Sequence, residues 1–137
     1  MILHITKQTK INQIQENFST RFPNLKLEFF IDKNKDEQLT ANEQVKDPSK
    51  SIQEIRENGK DGVYDIDGLT TVAELEKNFL DIFGIYVQVF RKSGDIWLMT
   101  TTTDYLTLSE QNNLATQQSK KIIPEGPGDA ADRNDLE

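Results

Sequence analysis

Residues 5–30 of this chain are echoed by residues 66–90, and a pattern written twice has to build the same unit twice. At an offset of 61, Ile5 falls on Ile66, Thr9 on Thr70, Asn17 on Asn78, Phe18 on Phe79 and Phe22 on Phe83. Skipping one residue near Pro23 and Asn24 then brings Phe30 onto Phe90. Apolar residues match where identity fails: Leu3/Tyr64, Ile11/Val72, Ile14/Leu75, Leu25/Ile85, Leu27/Val87 and Phe29/Val89.

Within each copy the apolar period changes twice. Residues 2–6 and 63–67 alternate weakly, as short strands do. Ile11, Ile14, Phe18 and Phe22 recur at helical spacing, and so do Val72, Leu75, Phe79 and Phe83; each set makes one narrow apolar stripe. Pro23 stops the first helix. Thr71 and Glu74 form a capping box at the start of the second, and Gly84 is placed as its C-cap. Residues 25–31 and 85–91 then alternate apolar with polar, which predicts strands with one strongly apolar face. Ser93-Gly94 reads as a tight turn into a further strand over 96–101, and the Thr107/Glu110 capping box opens a weakly amphipathic helix to about residue 117. The intervening residues show no repeat; Asp47-Pro48 and the Ser51/Glu54 box start a short helix that Gly59 closes.

The order βαβ, insert, βαβ, strand, helix predicts an α+β fold. Specifically, duplicated βαβ units build a ferredoxin-like two-layer sandwich with an extra C-terminal β-hairpin strand and helix. The expected domain is 1–117, with copies 2–31 and 63–91 around insert 32–62; 118–137, rich in Pro, Gly and Asp, is expected to be a disordered tail. Leu136-Glu137 reads either as native sequence or as a cloning scar.

Charge and composition narrow the function classes. With 16 basic and 23 acidic residues the net charge is −7, which opposes sequence-independent binding to phosphates and to anionic membranes. Nothing approaches the roughly 18 consecutive apolar residues of a spanning helix, and residues 1–7 lack the sections of a signal peptide. A cytoplasmic location is the expectation. Cysteine is absent, which removes disulfides, thiolate zinc sites and thiol catalysis. His4 is the single histidine, and no nucleophile elbow, P-loop or dinucleotide glycine motif occurs, so catalysis is not expected.

Two constellations remain. Residues 32–43 resemble a calcium-binding EF-hand loop: Asp32, Asn34 and Asp36 take the first, third and fifth positions, Gln38 the seventh through its carbonyl, Thr40 the ninth and Glu43 the bidentate twelfth. A hard dication wants several oxygens, and this segment gathers them. It departs from that family at Glu37, where glycine is usual, and in its flanks, since the repeat makes 25–31 a strand. The second constellation is the sheet face turned away from the helices. Lys26, Glu28, Phe30, Tyr86, Gln88 and Phe90 alternate with the core residues, and a Ser93-Gly94 turn sets Phe90 opposite Trp97 and Gln88 opposite Met99. Phe30, Tyr86, Phe90, Trp97 and Met99 thereby become a candidate partner site, unless the insert or the last helix covers them.

The stretch Val87-Gln-Val-Phe-Arg-Lys-Ser-Gly-Asp-Ile-Trp-Leu98, with Thr107-Leu-Ser-Glu-Gln-Asn112, resembles a small family of uncharacterised bacterial proteins. The resemblance implies a standalone bacterial domain and brings no activity or site residues. The expected function is a non-catalytic protein- or peptide-interaction module, without cofactor, acting through the aromatic face or a sheet edge. The alternative is a Ca²⁺-binding domain acting through loop 32–43.

Overall fold

Helix starts in this chain share one device: a side chain three places into the helix reaches back to the N-cap amide. The computed structural model describes residues 1–33, 35–36 and 38–120. Its elements run β1 (Ile2–Ile5), α1 (Ile11–Arg21), β2 (Leu25–Phe30), a 3-10 turn (Ala41–Glu43), α2 (Ile52–Ile55) and β3 (Gly62–Asp65). They continue with α3 (Val72–Phe83), β4 (Tyr86–Ser93), β5 (Ile96–Met99), a second 3-10 turn (Thr101–Thr103) and α4 (Leu108–Lys120). Before α3, Glu74 Oε1 accepts from the Thr71 amide at 3.0 Å and Thr71 Oγ1 accepts from the Glu74 amide at 3.1 Å. Glu54 does the same for Ser51 ahead of α2, and Glu110 for Thr107 ahead of α4. Gly84 ends α3 at φ 70°, its amide donating to the Leu80 carbonyl.

The fold is α+β, with two antiparallel sheets, β1–β3 and β2–β4–β5. A ferredoxin-like sandwich would join both strands of both units in one sheet. Here first strand pairs with first strand and second with second, and among the described residues no ladder links the two sheets. The pairing register explains this partition. Leu3 faces Tyr64 in one ladder and Glu28 faces Gln88 in the other, and each residue faces its own counterpart in the repeat. A local twofold axis therefore passes through both ladders, which is the geometry that antiparallel pairing of two like units requires.

The insert turns out to follow the same path as the C-terminal elements. Ile11 N donates to Lys50 O at 2.9 Å, as Val72 N does to Leu106 O at 3.1 Å. Ile52 N donates to Thr9 O, and Leu108 N to Thr70 O, both at 2.9 Å. Bridges Lys10–Ser51 and Thr71–Thr107 lie at matching positions, as do the Phe30–Gln44 bridge and the Phe90–Met99 pair. Thus α2 is the counterpart of the first turn of α4, and Gln44-Val45 that of Met99-Thr100. The sequence conceals this because the connecting loops differ in length, so no fixed offset aligns them.

Between the layers, Phe79 packs edge-on to Phe29 at 6.4 Å and to Tyr64 at 5.7 Å, with Phe18, Phe22 and Phe83 also buried. Leu108 and Ala115 bury α4 on the same side, where Arg91 is 1% exposed and donates from Nη1 to Gln111 Oε1 at 2.8 Å. Helix α4 extends through Lys120, so 118–120 are helical rather than tail; residues 121–137 lie outside the described residues. Among the described residues no helix is long and apolar enough to cross a membrane.

The closing of α3 gives a stability test. A Cβ on Gly84 would collide with the Asn58 carbonyl, whereas one on Gly94, at φ 62°, would meet nothing within 4 Å. Gly94→Ala is expected to cost about 1 kcal/mol, the left-handed penalty alone. Gly84→Ala is expected to cost clearly more, read from urea midpoints. Equal losses would show that the Asn58 contact relaxes freely.

Candidate functional site

Loop 32–43 leaves the end of β2 and returns beside it, since Ile31 N donates to Glu43 O at 2.9 Å. Glu43 is 2% exposed. Its Oε1 accepts from the Thr40 amide at 2.9 Å and its Oε2 from the Lys33 amide at 2.8 Å. Asp32 Oδ1 accepts from the Asp36 amide at 3.3 Å, and Asp36 Oδ1 from the Gln38 amide at 3.0 Å. Asp32, Asp36 and Glu43 each bring a carboxylate oxygen within 4.8 Å of the others. Three of the six expected ligands therefore converge; Gln38 and Thr40 are exposed, and Asn34 and Glu37 lie outside the described residues.

The surroundings are not those of an EF-hand. A strand enters this loop and a single 3-10 turn leaves it, in place of two helices. Thr40 and Glu43 also form the capping box of that turn, which accounts for the ninth and twelfth positions of the resemblance without a metal.

The sheet face opposite the helices divides its five candidate residues. Phe30 is 4% exposed, its main chain bridges to Gln44, and Tyr86 is half-buried. Trp97 and Met99 are 37% and 44% exposed. Lys26 Nζ lies 4.9 Å from the Trp97 ring centre and 5.6 Å from that of half-buried Phe90, and pairs with Glu28 at 3.2 Å. The hairpin register differs from expectation. Ser93 pairs with Ile96, so Phe90 faces Met99 and Lys92 faces Trp97. Gly94 takes the first of the two turn positions, where a type II′ hairpin accepts positive φ, in place of the second. The two-residue shift preserves which side each residue faces. Helix α4 does not cover this face, because it packs through Gln111 on Arg91, which alternates to the other side.

One residue that sequence reasoning passed over is Glu76. It is the repeat counterpart of Gln15, and both reach an outer edge of the three-stranded sheet. Gln15 Nε2 donates to the Leu27 carbonyl at 2.9 Å, and Glu76 Oε2 accepts from the Val89 amide at 3.2 Å. Burial, with a smaller contribution from nearby Asp104, pushes the Glu76 carboxyl up from 4.5 to about 7, against the Val89 hydrogen bond. It lines a cleft of about 510 Å³ with Asp104, Tyr86, Val87, Gln88 and Met99. The signal available beforehand was the offset of 61, which sets a carboxylate where the first copy has an amide.

Comparison with family models, curated proteins and solved structures returned no match.

Glu76 makes stability pH-dependent in a definite direction. Between pH 4.5 and about 7 the folded chain holds this proton while the unfolded chain has lost it. Stability should therefore fall as pH rises through that window, by on the order of 3 kcal/mol from this residue. Glu76→Gln is expected to lose this component of the slope, measured by urea unfolding at pH 5 and pH 8. Identical slopes in both proteins would contradict the assignment.

Proposed function

We propose that this chain is a non-catalytic recognition module that binds another protein or a peptide through the open face of its three-stranded sheet. The observation that carries this reading is the cluster of Phe90, Trp97 and Met99 with Lys26 over the rings, on the side of the sheet opposite the helices. Aromatic residues, methionine and a cation over a ring are the groups that dominate interface energetics, because they bury large area and lose little conformational freedom. Phe30 and Tyr86 belong to the support of that surface, not to its exposed part. The net charge of −7 makes nucleic acid and anionic membranes poor partners and fits a cytoplasmic protein domain. Peptides selected from a random phage library on the folded protein should lose at least about tenfold in affinity with Trp97→Ala, a hot-spot loss of roughly 1.4 kcal/mol or more. The thermal midpoint of that variant should stay close to the parent's. Selected peptides that bind both proteins equally would sink the reading.

A second reading, calcium binding, is favoured by the convergence of Asp32, Asp36 and Glu43. It expects saturable amide shifts confined to residues 32–43 on going from EDTA to millimolar calcium, abolished by Glu43→Gln. Overlaid spectra would retire it.

A further inference from the structure

We propose that β5 is a self-pairing edge: two copies of this chain join antiparallel along it, about a twofold axis through Leu98, into one continuous sheet. β5 is an outer strand in the order β2–β4–β5, and its residues, Ile-Trp-Leu-Met, carry no charge. Ser93 and Ile96 flank the two-residue turn, and Thr100 N donates to Val89 O at 3.3 Å further along the same register. Ile96, Leu98 and Thr100 therefore turn their main-chain groups to β4, while Trp97 and Met99 turn theirs outward. Among the described residues no hydrogen bond reaches those outward groups. The strand is open to solvent: Ile96 is 58% exposed, and Trp97 and Met99 are exposed beside it.

An exposed apolar edge with no lysine and no proline in it lacks the devices that keep sheet edges from pairing. A second copy fits it without any matching of side-chain chemistry. Trp97 and Met99 each present one donor and one acceptor. A twofold axis through Leu98 sets Trp97 against Met99 of the second copy, and Met99 against its Trp97, so every outward group meets a partner. The two halves of the chain already meet in this way, Glu28 lying opposite its own counterpart Gln88. Charge permits the contact despite a net −7 on each copy. The hairpin end of one copy, with exposed Lys92, comes alongside the Asp104 end of the other, and Asp95 comes opposite the uncharged Thr101. The axis uses up the edge, so association stops at two copies. On the opposite side of the sheet β2 is already met by the insert, since Val45 N donates to Phe29 O at 2.8 Å. A strand of 4 residues falls short of the roughly 800 Å² per partner of a stable interface, so the dimer is a weak one that forms at high concentration.

This inference does not depend on the recognition reading, because it is tested with no peptide present. In sedimentation equilibrium the mass should rise from that of one chain toward that of two between roughly 10 µM and 1 mM. Across the same dilution of ¹⁵N-labelled protein, the Trp97 and Met99 amides should shift more than the Leu98 amide, which already bonds to β4. Met99→Lys, a charge placed on the open edge, is expected to weaken association at least about tenfold while the thermal midpoint stays near the parent's. If that variant does not fold, the parent's mass and dilution shifts decide alone. A one-chain mass at the highest concentration would overturn the proposal, as would growth beyond two copies or a folded Met99→Lys that dimerises like the parent. So would a dimer whose dilution shifts fall on Ile2 and Val63, the exposed apolar residues of the β1–β3 ladder. Each of these results would leave peptide capture by Trp97 standing.

Discussion

The antiparallel pairing of β2 with β4 is the contact on which the rest of this structure depends. Glu28 opposite Gln88 fixes the register. That register turns Leu25, Leu27 and Phe29 inward together with Val87 and Val89, and a slip of one residue would expose the whole set. Phe18 and Phe79 close over this face from the two helices, and the short β1–β3 ladder completes the enclosure with Leu3 and Ile5. The Met1 and Ile66 main chains exchange hydrogen bonds at the end of that ladder, at 2.7 and 2.8 Å.

Twofold pairing also generates two outer edges, and the chain treats them differently. One edge is met by Gln44-Val45 and capped by Gln15; the other is met by β5 and stops short, with Glu76 at the gap. The same helix position carries an amide on one edge, where Gln15 donates to the Leu27 carbonyl, and a half-buried acid on the other, where Glu76 accepts from the Val89 amide. Aromatic side chains are distributed just as unevenly. The first unit buries Phe30, while the second leaves Trp97 and Met99 partly in solvent on its short hairpin. Both asymmetries fall on the same half of the molecule, which is where recognition is placed.

What could be read from the sequence was what depends on near neighbours. Apolar stripes, capping boxes and the terminal Gly84 are local, so both long helices and both long strands were foreseeable from their spacing. Strand partnership was not, because βαβ order is compatible with one sheet or two and the choice is made by the twofold packing. The correspondence of α2 with α4 was hidden by unequal loops. In loop 32–43 the sequence was ambiguous for a physical reason: a Thr and a Glu three residues apart serve a helix cap as well as a metal site. The side of the sheet on which Trp97 lies was legible from alternation alone, even though the hairpin register and the openness of that face were not, because a shift of two residues leaves sidedness unchanged.

The account stands on the openness of one sheet face, and Trp97, the single tryptophan, reports on it directly. The measurement is the emission maximum of the folded protein and its quenching by acrylamide. An open face gives red-shifted emission that acrylamide quenches readily, with little further change on unfolding. Blue-shifted emission that becomes quenchable only in denaturant would mean that the face is covered, and the recognition surface would have to be sought elsewhere.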